Sequence, residues 1–139
     1  WGIYASESYV KSRGMPLTPE SLAGHRYIAA KIHRGESRIE LKNGSRLVSL
    51  SLRPVVTSQN AEATCHLIGD GVGLGALPDY LVRVLSERMR LRRVLGSWTV
   101  FNEWGAKLFA LTLPGRAIRP ATHAFLDTLR NRIRTITLP

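Results

Sequence analysis

The sequence contains one cysteine, Cys65, so no disulfide can form within it. Its four histidines, His25, His33, His66 and His123, never fall three or four residues apart, which removes the metal pair that one helix face could present. Carboxylates are scarce, ten against 20 lysines and arginines, and their scatter suggests no acid and base couple. No Gly-x-Ser-x-Gly elbow occurs. Cys65 and His66 are neighbours in a helical pattern, so their side chains diverge by roughly 100° and cannot act as thiolate and base. Cys65 reads as a small core filler, and no cofactor is expected. No uncharged apolar run approaches the roughly 18 residues of a membrane span. No charged-then-apolar leader opens the chain, which points to a cytoplasmic protein without a membrane partner. The first residue is Trp1, not methionine, and this suggests a piece of something longer.

What is present is enough for a folded domain. The chain has 139 residues, of which 44% are hydrophobic and 22% charged, a balance that excludes a disordered tail. The net charge of +10 is unevenly placed. Residues 1–82 carry nine cations against seven carboxylates, whereas residues 83–139 carry 11 against three. Sixteen of the cations are arginines, which suit phosphate or carboxylate forks but are also a habit of GC-rich coding. Arg88, Arg90, Arg92 and Arg93 cluster, and Arg130, Arg132 and Arg134 alternate around a helix, yet neither group has an aromatic stacking platform beside it. Both read as solvated faces.

Strand and helix signals alternate. A strand over Trp1–Ala5 leads to a short helix capped by Ser6 and closed by Gly14, and Thr18-Pro19 starts one further helical turn. A strand is expected from Arg26 to Ile32, and a hairpin from Ser37 to Leu52 turning at Asn43-Gly44. Val55-Val56-Thr57 reads as a more fully buried strand. Asn60 then caps a helix from Ala61 to Ile68 that stops at Gly69. A strand over Gly71–Leu77, a helix over Pro78–Leu85 with Leu81, Val84 and Leu85 on one face, and a strand over Leu91–Leu95 follow. A loop holds Trp98 and Trp104. The chain ends with a strand over Lys107–Leu113 and an amphipathic helix over Arg119–Ile136. This pattern predicts an α/β fold with a mostly parallel sheet and one hairpin.

Two segments invite a binding role. Gly71-Val72-Gly73-Leu74-Gly75-Ala76 formally fits a dinucleotide fingerprint, but it follows a helix and becomes a strand, the reverse of the required context. Its glycines more readily serve a positive-φ turn and close backbone approach. Thr57-Ser58-Gln59-Asn60 joins a strand to a helix start, offering hydroxyl, amide and helix-dipole groups to a carboxylate or similar anion. The same residues are also ordinary helix caps.

Taken in order, Ile3-Tyr4-Ala5-Ser6 with Tyr9, Pro19-Glu20-Ser21-Leu22-Ala23-Gly24-His25, Asn60-Ala61-Glu62-Ala63, Gly71 through Leu81 and Phe125-Leu126-Asp127 form a familiar series. It resembles the C-terminal effector-binding domain of LysR-type transcriptional regulators. The resemblance implies a periplasmic-binding-protein-like (type 2) α/β fold, two subdomains with a ligand cleft between them. By alignment, residues 1–105 would be the second subdomain, and 106–139 the return strand and C-terminal helix of the first. The remainder of the first subdomain and the DNA-contacting helix-turn-helix would lie outside this chain.

The resemblance also implies a ligand-sensing, non-enzymatic role in the cytoplasm of a bacterium. A small metabolite would be held by Ile32, His33, Thr57, Ser58 and Asn60, and cleft closure would reposition a DNA-bound oligomer. It assigns no chemistry to the glycine motif. The C-terminal strand and helix, lacking the family's usual partners, are expected to pack on a second copy, giving a dimer by exchange of that segment. The alternatives are a transport-type solute-binding module, which shares the fold, and a basic nucleic-acid-binding module.

Overall fold

A computed structural model describes residues 1–30, 35–101, 109–111 and 119–135. The chain divides into two compact units, Trp1–Gly105 and Ala106–Pro139. The first runs β1 (Gly2–Ser6), α1 (Glu7–Arg13), a 3₁₀ turn (Glu20–Gly24), β2 (Tyr27–Ala29), β3 (Ser37–Asn43), β4 (Arg46–Leu52), β5 (Pro54–Thr57), α2 (Ala61–Gly69), β6 (Leu74–Leu77), α3 (Asp79–Met89), β7 (Leu91–Val94) and β8 (Thr99–Phe101). In the second unit the helix α4 spans Pro120–Thr135.

Five strands form one sheet in the order β5-β2-β6-β1-β7. β2 pairs in parallel with β5 and β6, while β1 is antiparallel to both β6 and β7, so four of the five strands point the same way. The sheet is therefore mixed, two parallel pairings and two antiparallel ones, where the sequence pattern predicts a mostly parallel sheet; the reversed strand β1, lying between β6 and β7, makes the difference. Because β1 is covered on both faces, all five of its residues are buried, which is why it reads as an unbroken apolar run. Its alternation divides the core. Ile3 and Ala5 join Tyr9, Leu22, Leu41 and Trp98 in one cluster, whereas Tyr4 joins Ile28, Cys65, Ile68, Leu77 and Val82 in the other.

A second sheet, β4-β3-β8, is antiparallel throughout. Its hairpin pairs Asn43 with Arg46, so the two turn residues are Gly44 and Ser45, one position later than the Asn-Gly signal suggests. Gly44 takes φ +58, which a glycine adopts without steric cost.

Local chemistry explains the ends of the elements. The Ser6 hydroxyl accepts the Tyr9 N–H at 3.2 Å to start α1, and Gly14 at φ +81 ends it. The Tyr9 hydroxyl is itself a fixed point in the core. It accepts the Arg26 N–H at 2.9 Å, leaving its own proton for His25 Nδ1 at 3.2 Å.

Several sequence expectations are corrected. β5 is an edge strand with alternating exposure, not a fully buried stretch, because only β2 covers one side of it. α2 runs through Gly69, and the chain reverses at Gly71, whose φ is +75. The following strand shrinks to Leu74–Leu77 because Gly71–Gly73 form that turn. α3 is one turn longer than Pro78–Leu85. Leu81, Val82 and Leu85 pack inward while Val84 is 77% exposed, since the residue opposite the inward stripe is 84. The strand predicted over Arg26–Ile32 is only Tyr27–Ala29 among the described residues. β8 was expected to be loop, because its three residues carry too short a pattern to read. The strand expected at Lys107–Leu113 falls mostly outside the described residues, and 109–111 are not strand. α4 matches expectation and leaves Phe125 exposed.

Candidate functional site

The parallel strands β2, β5 and β6 bring their carboxyl ends, Ala29, Thr57 and Leu77, to one end of the sheet. Reversed β1 places Gly2 beside Leu77 at that same end. This is where an α/β sheet offers helix starts and free N–H groups to a ligand. Thr57 pairs with Ala29, and the Ser58 N–H donates to the Ala29 carbonyl at 2.9 Å, so the β5–α2 junction is anchored to the sheet.

Within the junction the polar groups divide into used and free. Ser58 Oγ accepts the Asn60 N–H at 3.3 Å and donates to the Asn60 carbonyl at 3.1 Å. Asn60 Oδ1 accepts the Ala63 N–H at 3.0 Å, a helix cap. Thr57 and Asn60 are exposed, Ser58 is half-buried, and among the described residues the Thr57 hydroxyl has no hydrogen-bond partner. Thr57, Ser58 and Asn60 are thus brought together. Ile32 and His33 lie outside the described residues. A depression of about 330 Å³ runs along β5 from Arg53 to Thr57, bounded by Gly35. Arg53 and Thr57 line its two ends. Sequence reasoning missed Arg53 because one arginine before Pro54 gives no pattern.

A second polar group occupies the same end of the sheet, at the start of α3. Asp79 accepts the Tyr4 hydroxyl at 2.5 Å and lies 3.5 Å from Arg93. Arg93 also donates to the Trp98 carbonyl at 3.2 Å, and a Cβ on Gly2 would meet its Nε at 2.8 Å. Gly2 therefore leaves the path along which Arg93 crosses β1. This refines the view of the Arg88–Arg93 cluster as wholly solvated: Arg90, Arg92 and Arg93 all reach the surface, but Arg93 also binds Asp79 and the Trp98 carbonyl and so ties the fold together. Burial opposes ionisation of Asp79, yet the hydrogen bond from Tyr4 and the Arg93 guanidinium favour the carboxylate and hold it below its ordinary value. Burial, reinforced by the Asp79 charge, drives the Tyr4 hydroxyl well above the usual range.

The sign of the pH dependence follows. A depressed carboxyl stabilises the fold fully above its ordinary value of 3.8, and that contribution is lost as pH falls through the lower folded value. Asp79→Asn is expected to cost roughly 1–2 kcal/mol at pH 7, the range for a charged hydrogen bond discounted for partial exposure. It should also flatten the stability profile below about pH 4. Urea titrations at pH 7 and pH 3 check this: a variant with the wild-type acid slope would contradict it.

Cys65 is buried, and burial pushes its thiol up, reinforced by the Glu62 charge, while His66 on the next position is exposed. The pair faces apart, as the helical spacing requires. Among the described residues no three His, Cys, Asp or Glu side chains gather where they could hold a metal, and no helix is long and apolar enough to cross a membrane.

The LysR substrate binding domain family matches residues 1–134. The chain belongs to the LysR substrate-binding domain family. LysR substrate-binding domains are parts of transcriptional regulators rather than enzymes, and the architecture is their periplasmic-binding-protein-like type 2 fold. An HTH-type transcriptional regulator of Xanthomonas campestris pv. campestris is 28% identical over 135 residues, 94% of this chain and 38% of that protein. A probable HTH-type regulator, LtrA of Klebsiella pneumoniae, is 19% identical over 94% of the chain and 42% of its own length. The chain thus spans about two-fifths of the curated relatives it matches. The CrgA regulatory domain of Neisseria meningitidis, a LysR-type regulator, superposes with a TM-score of 0.64 at 23% identity, covering 94% of this chain and 63% of that one. The full-length Vibrio cholerae virulence activator AphB gives 0.61 over 73% of this chain and 34% of its own, also at 23% identity.

Proposed function

We propose that this chain is the ligand-sensing part of a LysR-type bacterial transcription regulator acting in the cytoplasm, and that it binds a small anionic metabolite at the carboxyl end of its parallel strands. The observation that carries this reading is the family match over residues 1–134, with relatives that are HTH-type regulators more than twice as long as this chain. Residues 1–105 are assigned to the second effector subdomain, and 106–139 to the return strand and closing helix of the first. The division of the chain at Gly105 supports that assignment. DNA would be contacted through a helix-turn-helix in the longer protein.

Thr57, Ser58 and Asn60 are assigned to the effector, together with Ile32 and His33. Support comes from the free Thr57 hydroxyl, the start of α2, whose dipole favours an anion, and Arg53 in the adjoining depression. Ligand closure of the cleft would shift a conformational equilibrium and so alter the DNA-bound oligomer. The exposed apolar stripe of α4, with Phe125 and Leu129, is assigned to self-association with a second copy.

Screening the chain by thermal shift against small carboxylates tests the site. A ligand present at 100 times its Kd adds about 2.7 kcal/mol of stability, or roughly 5–10 °C in a domain of this size. Ser58→Ala with Asn60→Ala is expected to abolish that shift. The lost cap itself costs about 1 kcal/mol, which is read without ligand. A full ligand shift in the double variant would contradict the assignment.

A further inference from the structure

A cavity of about 500 Å³ opens at the opposite end of the five-stranded sheet from Thr57. Its position follows from topology: it forms where β1 ends at Ser6, and β1 runs against β2, β5 and β6. Three helices converge there. α1 contributes Glu7 and Lys11, spaced i and i+4 and so on one face, and α2 contributes His66 from its last turn and Asp70 from the cap that follows it. Arg90 follows the end of α3 at φ +46, a backbone state that non-glycine residues seldom adopt. Met89 packs beside Gly69 of α2 and supplies an apolar side to the cavity.

The charge of this lining differs from that of the chain. Overall, cations outnumber carboxylates two to one, yet the cavity holds two of each: Glu7 and Asp70, Lys11 and Arg90. Among the described residues none of these four side chains, nor His66, makes an ion pair or hydrogen bond with another side chain. Four unpaired charges of both signs around one concavity can satisfy a ligand that carries both signs itself, whereas a simple anion would meet two carboxylates and a simple cation two basic groups. The volume falls within the range of small-molecule sites.

We propose that this cavity is a second small-molecule site, separate from the effector site, for a zwitterion of the α-amino-acid class. Its ammonium faces Glu7 and Asp70, and its carboxylate faces Lys11 and Arg90. The test is amide chemical-shift mapping on the ¹⁵N-labelled chain with each of the common L-α-amino acids at about 10 mM, enough to fill sites of millimolar affinity. Acetate and methylammonium serve as single-charge controls. At least one amino acid is expected to move the amides of Ser8, Asp70 and Arg90 while leaving Thr57 to Asn60 in place, and neither control should do so. Glu7→Gln and Arg90→Met should each weaken that binding about fivefold, the effect of one partly exposed charge contact, with melting temperatures held near wild type. The proposal is overturned if no amino acid moves those amides, if acetate or methylammonium alone moves them equally, or if both variants bind as tightly as wild type.

Discussion

Replacing Gly73 by alanine is expected to destabilise the domain by about 3–5 kcal/mol, a large share of the stability of a domain this size. The Cβ would stand 2.3 Å from the Arg26 carbonyl oxygen, the same oxygen that accepts the Leu74 N–H at 2.9 Å. A side chain could rotate away from such a contact, but a backbone carbonyl within a sheet cannot, so the β2–β6 pairing must open. Gly75 is the next most crowded of the motif, 2.9 Å from the Ile28 carbonyl and 3.1 Å from Ile68 Cδ1. Gly24, by contrast, has no heavy atom within 4 Å and an ordinary φ, so Gly24→Ala should change stability by no more than about 0.5 kcal/mol. Urea unfolding of the three variants reads the order directly. Equal costs at Gly73 and Gly24 would show that close backbone approach is not what the glycine motif supplies.

The second large effect is expected at Ile68, which is fully buried where α2 meets the central sheet. Ile68→Ala removes three carbons from a cluster that also holds Tyr4, Ile28, Cys65 and Leu77, and should cost about 2–5 kcal/mol including the cavity left behind. Leu47→Ala is the matching control: Leu47 is half exposed on an edge strand, and its truncation should cost no more than about 0.5 kcal/mol. Because α2 carries Asn60 at its start, loosening its inner face also loosens the candidate ligand junction. Ile68→Ala is therefore expected to weaken ligand shifts at Thr57 to Asn60 without touching them. A variant as stable as wild type would place α2 outside the core.

The fold was legible where a signal was both local and strong. The Ser6 cap, Gly14, the Asn60 cap and the alternation of Ser37 to Leu52 each have a physical cause within a few residues, and each stands close to where the sequence puts it. What was misread depends on neighbours in space. Val55 to Thr57 looks like a central strand by composition, but whether it lies at the edge is decided by which strand comes beside it. Val84 has the right spacing to join Leu81 on an inward face, and only the packing of α3 shows that Val82 takes that place. The role of Arg93 was hidden for a similar reason. Its partners Asp79 and Trp98 meet it through folding, and Gly2 gives no hint in sequence that it clears the way. At the candidate site the helix-start chemistry of Ser58 and Asn60 was readable, whereas Arg53 entered only through the surface that β5 forms.

The central claim is that this chain senses a ligand on behalf of a DNA-binding regulator. The most direct test is to read the genomic coding frame on the 5′ side of the Trp1 codon. The account predicts a frame that continues through the rest of the first effector subdomain to a helix-turn-helix, as expected of a protein whose relatives are more than twice this chain's length. A frame that instead opens on a secretion leader would contradict it and assign the same fold to solute capture for transport.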